Sequence, residues 1–215
     1  LITYFMTFRI EEKLYIRSEN LTDFKKYLND RRVERIYHPR KIRSLYFDNF
    51  NFAMYNDSIE GLVPRKKIRI RNYPEDEDKR IYLETKNSSV EGRFKSRKII
   101  DNKLFDQYKN IGILDSQYGV CFPNFYVNYK REYSVLGDVR ISIDTDISYE
   151  EYKTNLTYKD NKIVVEIKAS IKKDLDDLIQ IFPFQRIRFS KYCFAVDTLN
   201  QGNLWKVKFT GILIS

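Results

Sequence analysis

A chain of 215 residues with 42% hydrophobic content is long enough for a sizeable core and too apolar for a disordered polymer. Lys and Arg number 39 against 30 Asp and Glu, a net charge of +9, so the expected partner is an anion, and the placement of the charges has to separate a nucleic acid from a phosphate compound. Two cysteines, Cys121 and Cys193, and one histidine, His38, exclude a disulfide framework and leave almost no material for a His-based metal site or a Ser-His-Asp triad.

Such cysteine usage fits a reducing, cytoplasmic setting, and no run reaches the roughly 20 apolar residues of a membrane helix. With 7 Gly, 5 Pro and no linker-like stretch, residues 6–200 read as a single domain followed by a tail, 201–215, with Met6 a plausible start.

In chain order, period-2 alternation of Ile, Val, Tyr and Phe with polar residues predicts strands over residues 8–16, 42–48, 66–73, 80–86, 93–99, 125–134, 138–144 and 162–168, with a ninth conceivable over 186–194. Three helices fit between them. The first spans 21–28, with Leu21, Phe24 and Leu28 on one face. The second spans 102–111, carrying Leu104, Phe105, Tyr108 and Ile111. The third follows Lys173, with Leu175, Leu178, Ile179 and Phe182 before Pro183 stops it. The acidic run Glu75–Asp78 reads as a solvated hairpin turn, and Asp176 and Asp177 as the wet face of the third helix.

Each strand has one charged and one aliphatic face. Lys67, Arg69, Arg71 and Tyr73 lie opposite Ile68 and Ile70; Tyr82, Glu84 and Lys86 opposite Ile81 and Leu83. Arg140, Ser142 and Asp144 lie opposite Val139, Ile141 and Ile143, and Glu166 with Lys168 opposite Ile163, Val165 and Ile167. An open sheet with its charged face in water is the ordinary meaning of such a pattern. Against it stands the recurrence of Glu-x-Lys at Glu11/Lys13, Glu84/Lys86 and Glu166/Lys168. Residues i and i+2 of a strand share a face, so each triplet sets a carboxylate beside an ammonium. If these faces line the inside of a barrel, the aliphatic faces point outward beneath the helices, and the enclosed charges require a charged ligand. Lys95, Arg97 and Lys98 are further candidates for the tunnel or its mouth, and Asp144 and Asp146 for further carboxylate ligands.

The segments Arg9-Ile-Glu-Glu-Lys13, Ser44-Leu-Tyr-Phe-Asp48, Lys67-Ile-Arg-Ile-Arg71, Glu84-Thr-Lys86, Tyr129-Lys-Arg131, Arg140-Ile-Ser-Ile-Asp144, Glu166-Ile-Lys168 and Arg188-Phe-Ser-Lys-Tyr192 resemble, in that order, the polyphosphate polymerase domain of the vacuolar transporter chaperone family, one of the triphosphate tunnel metalloenzymes and a relative of the CYTH proteins. The resemblance runs from Phe8 to about Val196 and extends to neither an inositol-phosphate-sensing domain nor membrane helices. It implies a mainly β, α+β fold: an eight-stranded antiparallel tunnel barrel with a charged interior and about three peripheral helices. It also implies transfer of the terminal phosphoryl group of ATP onto inorganic polyphosphate, with Mn²⁺ or Mg²⁺ as cofactor. On that resemblance Lys13, Arg69, Arg71, Lys86, Arg131, Arg140 and Lys191 grip phosphate in the reaction, Tyr129, Lys168, Arg188 and Ser190 bind substrate, and Glu166, Glu84 and Glu11 serve the metal. Arg188 stands where the family often has Lys, which keeps the charge but replaces a point donor with a planar fork.

These residue types suit phosphoryl transfer, which needs positioning and charge neutralisation more than covalent help. A tunnel triphosphatase uses nearly the same site with water as acceptor. A polyphosphate scaffold that has lost the metal would keep the site without turnover. Basic strands interleaved with Tyr and Phe also describe a nucleic-acid platform, but carboxylates on the same faces repel such a backbone, so nucleic acid is not the expected partner.

Overall fold

The computed structural model describes residues 3–6, 9–170 and 172–199; the predicted tail 201–215 lies outside them. Strands β1 (Thr3–Met6) and β2 (Arg9–Ile16) precede α1 (Leu21–Asp30). Strand β3 (Glu34–Asp48) leads through α2 (Ala53–Glu60) to β4 (Arg65–Asn72), β5 (Ile81–Ser89) and β6 (Gly92–Ile100). Helix α3 (Asn102–Ile111) and β7 (Ile113–Asp115) are followed by the long strands β8 (Gly119–Leu136) and β9 (Val139–Glu151), then β10 (Thr157–Asp160), β11 (Ile163–Ser170) and α4 (Leu175–Ile181). Residues 191–199 form a last helical segment, α5. None of the described helices is long and apolar enough to cross a membrane.

The strands build one antiparallel sheet of 11 strands in the order β1-β6-β5-β4-β3-β8-β9-β11-β2, with β10 on β9 and β7 on β8. This corrects the expected eight-stranded closed barrel with three helices. Among the described residues the backbone ladder has two ends, β1 and β2. The sheet nevertheless curls until β6 and β5, the strands next to β1, touch the far end β2 through side chains: Arg93 of β6 lies 2.6 Å from Glu11 of β2, and Lys86 of β5 lies 3.6 Å from the same carboxylate. The result is a tunnel-like surface with a seam of ion pairs where a barrel has hydrogen bonds.

Sequence pattern misses elements here for identifiable reasons. β7 and β10 have 3 and 4 residues, too short for alternation to register. The first half of β3, Glu34 to Tyr37 and beyond, is largely exposed, so it lacks an apolar phase. Helix α2 buries only Met54 and Ser58. It is held instead by Asp48, whose carboxylate accepts from the Met54 and Tyr55 backbone N–H groups at 3.0 Å each, satisfying donors that a helix start leaves open. The ninth strand conceived over 186–194 does not form. Arg186 makes only an isolated bridge to Leu14. Ser190 then starts α5, its hydroxyl accepting from Cys193 N at 3.3 Å and its carbonyl from Phe194 N at 2.9 Å.

The aliphatic faces do point outward. Leu14 and Ile16 of β2, Val139, Ile141 and Ile143 of β9, and Ile163, Val165 and Ile167 of β11 pack beneath Phe24 and Leu28 of α1, Leu178 of α4 and Phe182 just after it. Ile68, Ile70, Ile81 and Ile100 join a second cluster with Met54 of α2 and Leu104, Phe105 and Tyr108 of α3. Each such buried side chain contributes roughly 1.5–3 kcal/mol, which fixes the strands so that their charged residues face inward.

Candidate active site

Register places the inner residues in rows. Lys67, Lys86 and Lys95 form one row; Tyr46, Arg69, Glu84 and Arg97 form the next; Ser44, Arg71 and Tyr82 a third. Across the surface, Arg131 faces Asp144, Ser142 faces Glu166 and then Lys13, and Arg140 faces Lys168 and then Glu11. The three Glu-x-Lys triplets thus converge, Lys86 and Lys168 reaching Glu11 at 3.6 and 3.5 Å.

On the β4–β5–β6 side, Glu84 is 2% exposed and surrounded by cations. One of its oxygens contacts Arg69 at 2.7 Å and Arg71 at 3.7 Å, and the other contacts Lys95 at 2.7 Å and Arg97 at 3.4 Å. Burial works to raise its pKa, but Arg69, Arg71 and Lys95 outweigh it and hold the carboxyl well below the usual range. Burial pushes Lys95 down to about 8, against the pull of Glu84. Arg71, also buried, donates to Ser44 Oγ at 3.0 Å and to Tyr129 Oη at 2.9 Å. Arg69 donates to Tyr46 Oη at 2.9 Å. The arginines are thereby held in fixed orientations.

Opposite them, Arg131 grips Asp144 with both Nε and Nη2, at 2.6 and 2.7 Å, and Lys191 adds a contact at 2.5 Å. Asp144 is fully buried. Burial acts to raise its pKa, and Arg131 and Lys191 reverse that and lower it. Lys191 comes from the start of α5, which lies against the inner face: Tyr192 stacks on Phe125 at 5.7 Å and packs on Tyr46 at 5.4 Å, and its hydroxyl donates to Asp48. Ser190 Oγ accepts from Lys67 Nζ at 2.8 Å.

On the β2–β11 side, Lys168 lies between two neighbouring carboxylates, 2.8 Å from Glu166 and 3.5 Å from Glu11. Burial works to raise the Glu166 pKa; the neighbouring Glu11 carboxyl and the charges of Lys168, Arg131 and Lys13 outweigh it and hold it well below the carboxylate range. Lys13 donates to the Phe189 carbonyl. Its pKa is pushed down to about 8 by burial, with Glu166 and Glu11 opposing and Lys191 and Lys86 assisting.

Of the residues singled out in the sequence, Lys13, Arg69, Arg71, Lys86, Arg131, Lys168, Ser190, Lys191, Tyr129, Glu11, Glu84 and Glu166 therefore meet on one curled face. Arg140 is exposed at its edge. Arg188 is exposed too and turns to α2, donating to the Ser58 carbonyl at 3.2 Å. Sequence reading passed over Lys67 and Tyr46 as site residues, although both sit in phase with the chosen ones. Among the described residues no group of three His, Cys, Asp or Glu is close enough to hold a metal ion by itself. Glu11 and Glu166 are two adjacent carboxylates, the hard oxygen donors that Mg²⁺ or Mn²⁺ takes in combination with phosphate oxygens and water. Glu84 has both oxygens occupied by cations.

The family model described as the VTC domain matches residues 8–118 and 101–200. Among curated proteins, none matches the sequence. Solved structures are similar in fold. A putative adenylate cyclase from Bacillus halodurans superposes with a TM-score of 0.57 at 11% identity, over 86% of this chain and 94% of that one. A conserved hypothetical protein from Pyrococcus furiosus gives 0.53 at 18%, over 86% and 99%. A putative adenylyl cyclase from Hippeastrum, described as having a dominant triphosphatase activity, gives 0.53 at 15%, over 89% and 96%.

Proposed function

The chain belongs to the VTC domain family, and on that premise we propose that it transfers the terminal phosphoryl group of ATP onto the end of an inorganic polyphosphate chain. The observation that carries this reading is that Arg69, Arg71, Arg131, Lys13 and Lys191 come from opposite walls of the curled sheet to one inner face, beside the carboxylates of Glu11 and Glu166.

In this mechanism Arg69 and Arg71, already oriented by Glu84, Ser44 and Tyr129, hold the oxygens of the donor phosphates. Arg131 and Lys191, fixed on Asp144, face the transferred group and offset charge that develops on its oxygens. Glu11 and Glu166 would hold a divalent cation, which supplies charge neutralisation and a template for the phosphate oxygens. The acceptor is the terminal phosphate of the growing chain: its oxygen forms the new P–O bond while the bond to the ADP oxygen breaks, and ADP leaves with that electron pair. The partly exposed lysines Lys86, Lys95 and Lys168, 48%, 43% and 39% accessible, offer a cationic path for the product.

A second reading, hydrolysis of triphosphate with water as acceptor, is favoured by one feature: α5 packs against the inner face with Tyr192 on Tyr46 and Phe125, taking up inner surface that a long product would need. Incubation with ATP and Mn²⁺ separates the two. Long-chain polyphosphate accumulating beside ADP is the expected outcome; orthophosphate as the sole phosphate product would establish hydrolysis in its place.

A further inference from the structure

Toward one edge of the sheet the inner face changes character. Along β4 the inward residues run Lys67, Arg69 and Arg71, with Tyr73 directly after the strand; along β5, Lys86, Glu84 and then Tyr82. Along β8, Arg131 is followed by Tyr133, which pairs with Tyr37 of β3. Each strand thus passes from cations to a tyrosine at the same edge. The rings are linked: Tyr73 and Tyr82 meet edge-on at 6.0 Å between centroids, and Tyr37 and Tyr133 at 5.7 Å. Arg97 lies 3.5 Å from the Tyr82 ring centre and 5.9 Å from that of Tyr73, and Arg40 lies 5.8 Å from both Tyr37 and Tyr73. Four rings and two planar guanidiniums form a continuous collar.

A phosphate chain gains little from such a surface, because the face of an aromatic ring carries negative charge density. A planar heterocycle gains a good deal, by stacking on Tyr rings and on Arg planes. Tyr73 follows Arg71, and Tyr133 follows Arg131, by two residues, roughly 7 Å along a strand, about the separation a ribose puts between a base and its first phosphate. Tyr37 is 57% exposed, an uncommon setting for a ring serving only packing, whereas a partner that arrives with the substrate would cover it. We propose that this collar is the subsite for the base of a nucleoside triphosphate, so that the nucleotide enters with its phosphates leading and its base held at the tyrosine edge. The inference rests on the reading of Arg69, Arg71 and Arg131 as the phosphate cradle, and it adds selectivity for nucleotide over bare triphosphate.

The test is calorimetric titration of ATP and of inorganic triphosphate, each with Mn²⁺, into the unaltered chain and into Tyr73→Leu and Tyr37→Leu. ATP affinity is expected to fall about tenfold in Tyr73→Leu and about threefold in Tyr37→Leu, at the low end of what base–aromatic stacking contributes, while triphosphate affinity stays the same in both. Because Tyr37 is exposed, its replacement leaves the fold intact and keeps the comparison readable. ATP affinity unchanged in both variants, or both ligands weakened alike, overturns the subsite. Retained ATP selectivity in a chain that forms no product overturns the phosphoryl-transfer reading and leaves the subsite standing; if neither ligand binds the unaltered chain, both fall.

Discussion

Glu84 and Glu166 belong to the same Glu-x-Lys pattern, face the same interior and are both largely buried, yet their surroundings differ. Around Glu84 four cations occupy both oxygens. Beside Glu166 stand Lys168 and a second carboxylate, Glu11, which itself contacts Lys168, Lys86 and Arg93. The first is a completed ionic network, which orients Arg69 and Arg71 and leaves no oxygen for a ligand. The second sets two carboxylates side by side with Lys168 between them, an arrangement that offers hard oxygen donors to a bound cation. One motif thus builds the clamp on one wall and a candidate cation seat on the other.

The largest effect is expected where that contrast is catalytic. Glu166→Gln keeps size and hydrogen-bonding capacity but removes one of the paired charges; turnover of ATP with Mn²⁺ should fall about a thousandfold, or roughly 4 kcal/mol of transition-state stabilisation, with the melting temperature nearly unchanged. Rates and a thermal melt on the same preparation check this. Turnover equal to that of the unaltered chain would remove Glu166 from the cation seat and break the comparison.

The counterpart on the other wall acts on stability. Glu84→Gln leaves Arg69 and Arg71 facing each other without their carboxylate, and loss of one partner from a buried ionic cluster costs about 3–5 kcal/mol. Lys95 and Arg97 are 43% and 38% exposed and recover hydration, so about 3 kcal/mol is expected, read from urea denaturation. A variant as stable as the unaltered chain would mean that the network is not what holds this wall. A smaller change follows from Lys191→Met: Asp144 keeps its two-pronged contact with Arg131, so the fold persists, while one cation facing the transferred phosphate is gone and turnover should drop about tenfold. Loss of folding instead of rate would assign Lys191 to structure.

How much of this was legible in the sequence follows from the same residues. Two-residue alternation gave the inner face directly, because Arg69 and Glu166 sit between aliphatic neighbours, and Glu84 and Asp144 between an aliphatic residue and a threonine. It could not distinguish Glu84 from Glu166, since their difference lies in which strand curls beside them: Glu84 meets Arg97 through β6, and Glu166 meets Glu11 through β2. Those contacts join residues about a dozen positions apart in one case and far more in the other, with nothing local to mark them. The strand count and the open ladder were hidden for another reason: β7, β10 and the exposed start of β3 carry no burial pattern, and α5 begins inside a stretch, Arg186 to Phe194, whose alternation imitates a strand. Alternation already set Tyr73 and Tyr82 of the tyrosine collar on the charged faces, whereas Tyr37 and Tyr133 joined it only once register paired them.

The smallest effect is also the most selective for the contrast, because it isolates the charge of one carboxylate. The folded-state pKa of Glu84 is depressed from its ordinary 4.5, burial opposing and Arg69, Arg71 and Lys95 prevailing. The folded state therefore binds the proton less readily than the unfolded chain, so Glu84 adds stability that is fully present above about pH 4.5 and is lost as pH falls below it. Denaturation series at pH 7, 5 and 4 should show a decline for the unaltered chain and a shallower one for Glu84→Gln, which has no proton to take up there. Parallel curves would mean that other carboxylates, Asp144 among them, carry the acid sensitivity, and that the Glu84 network stabilises through geometry alone.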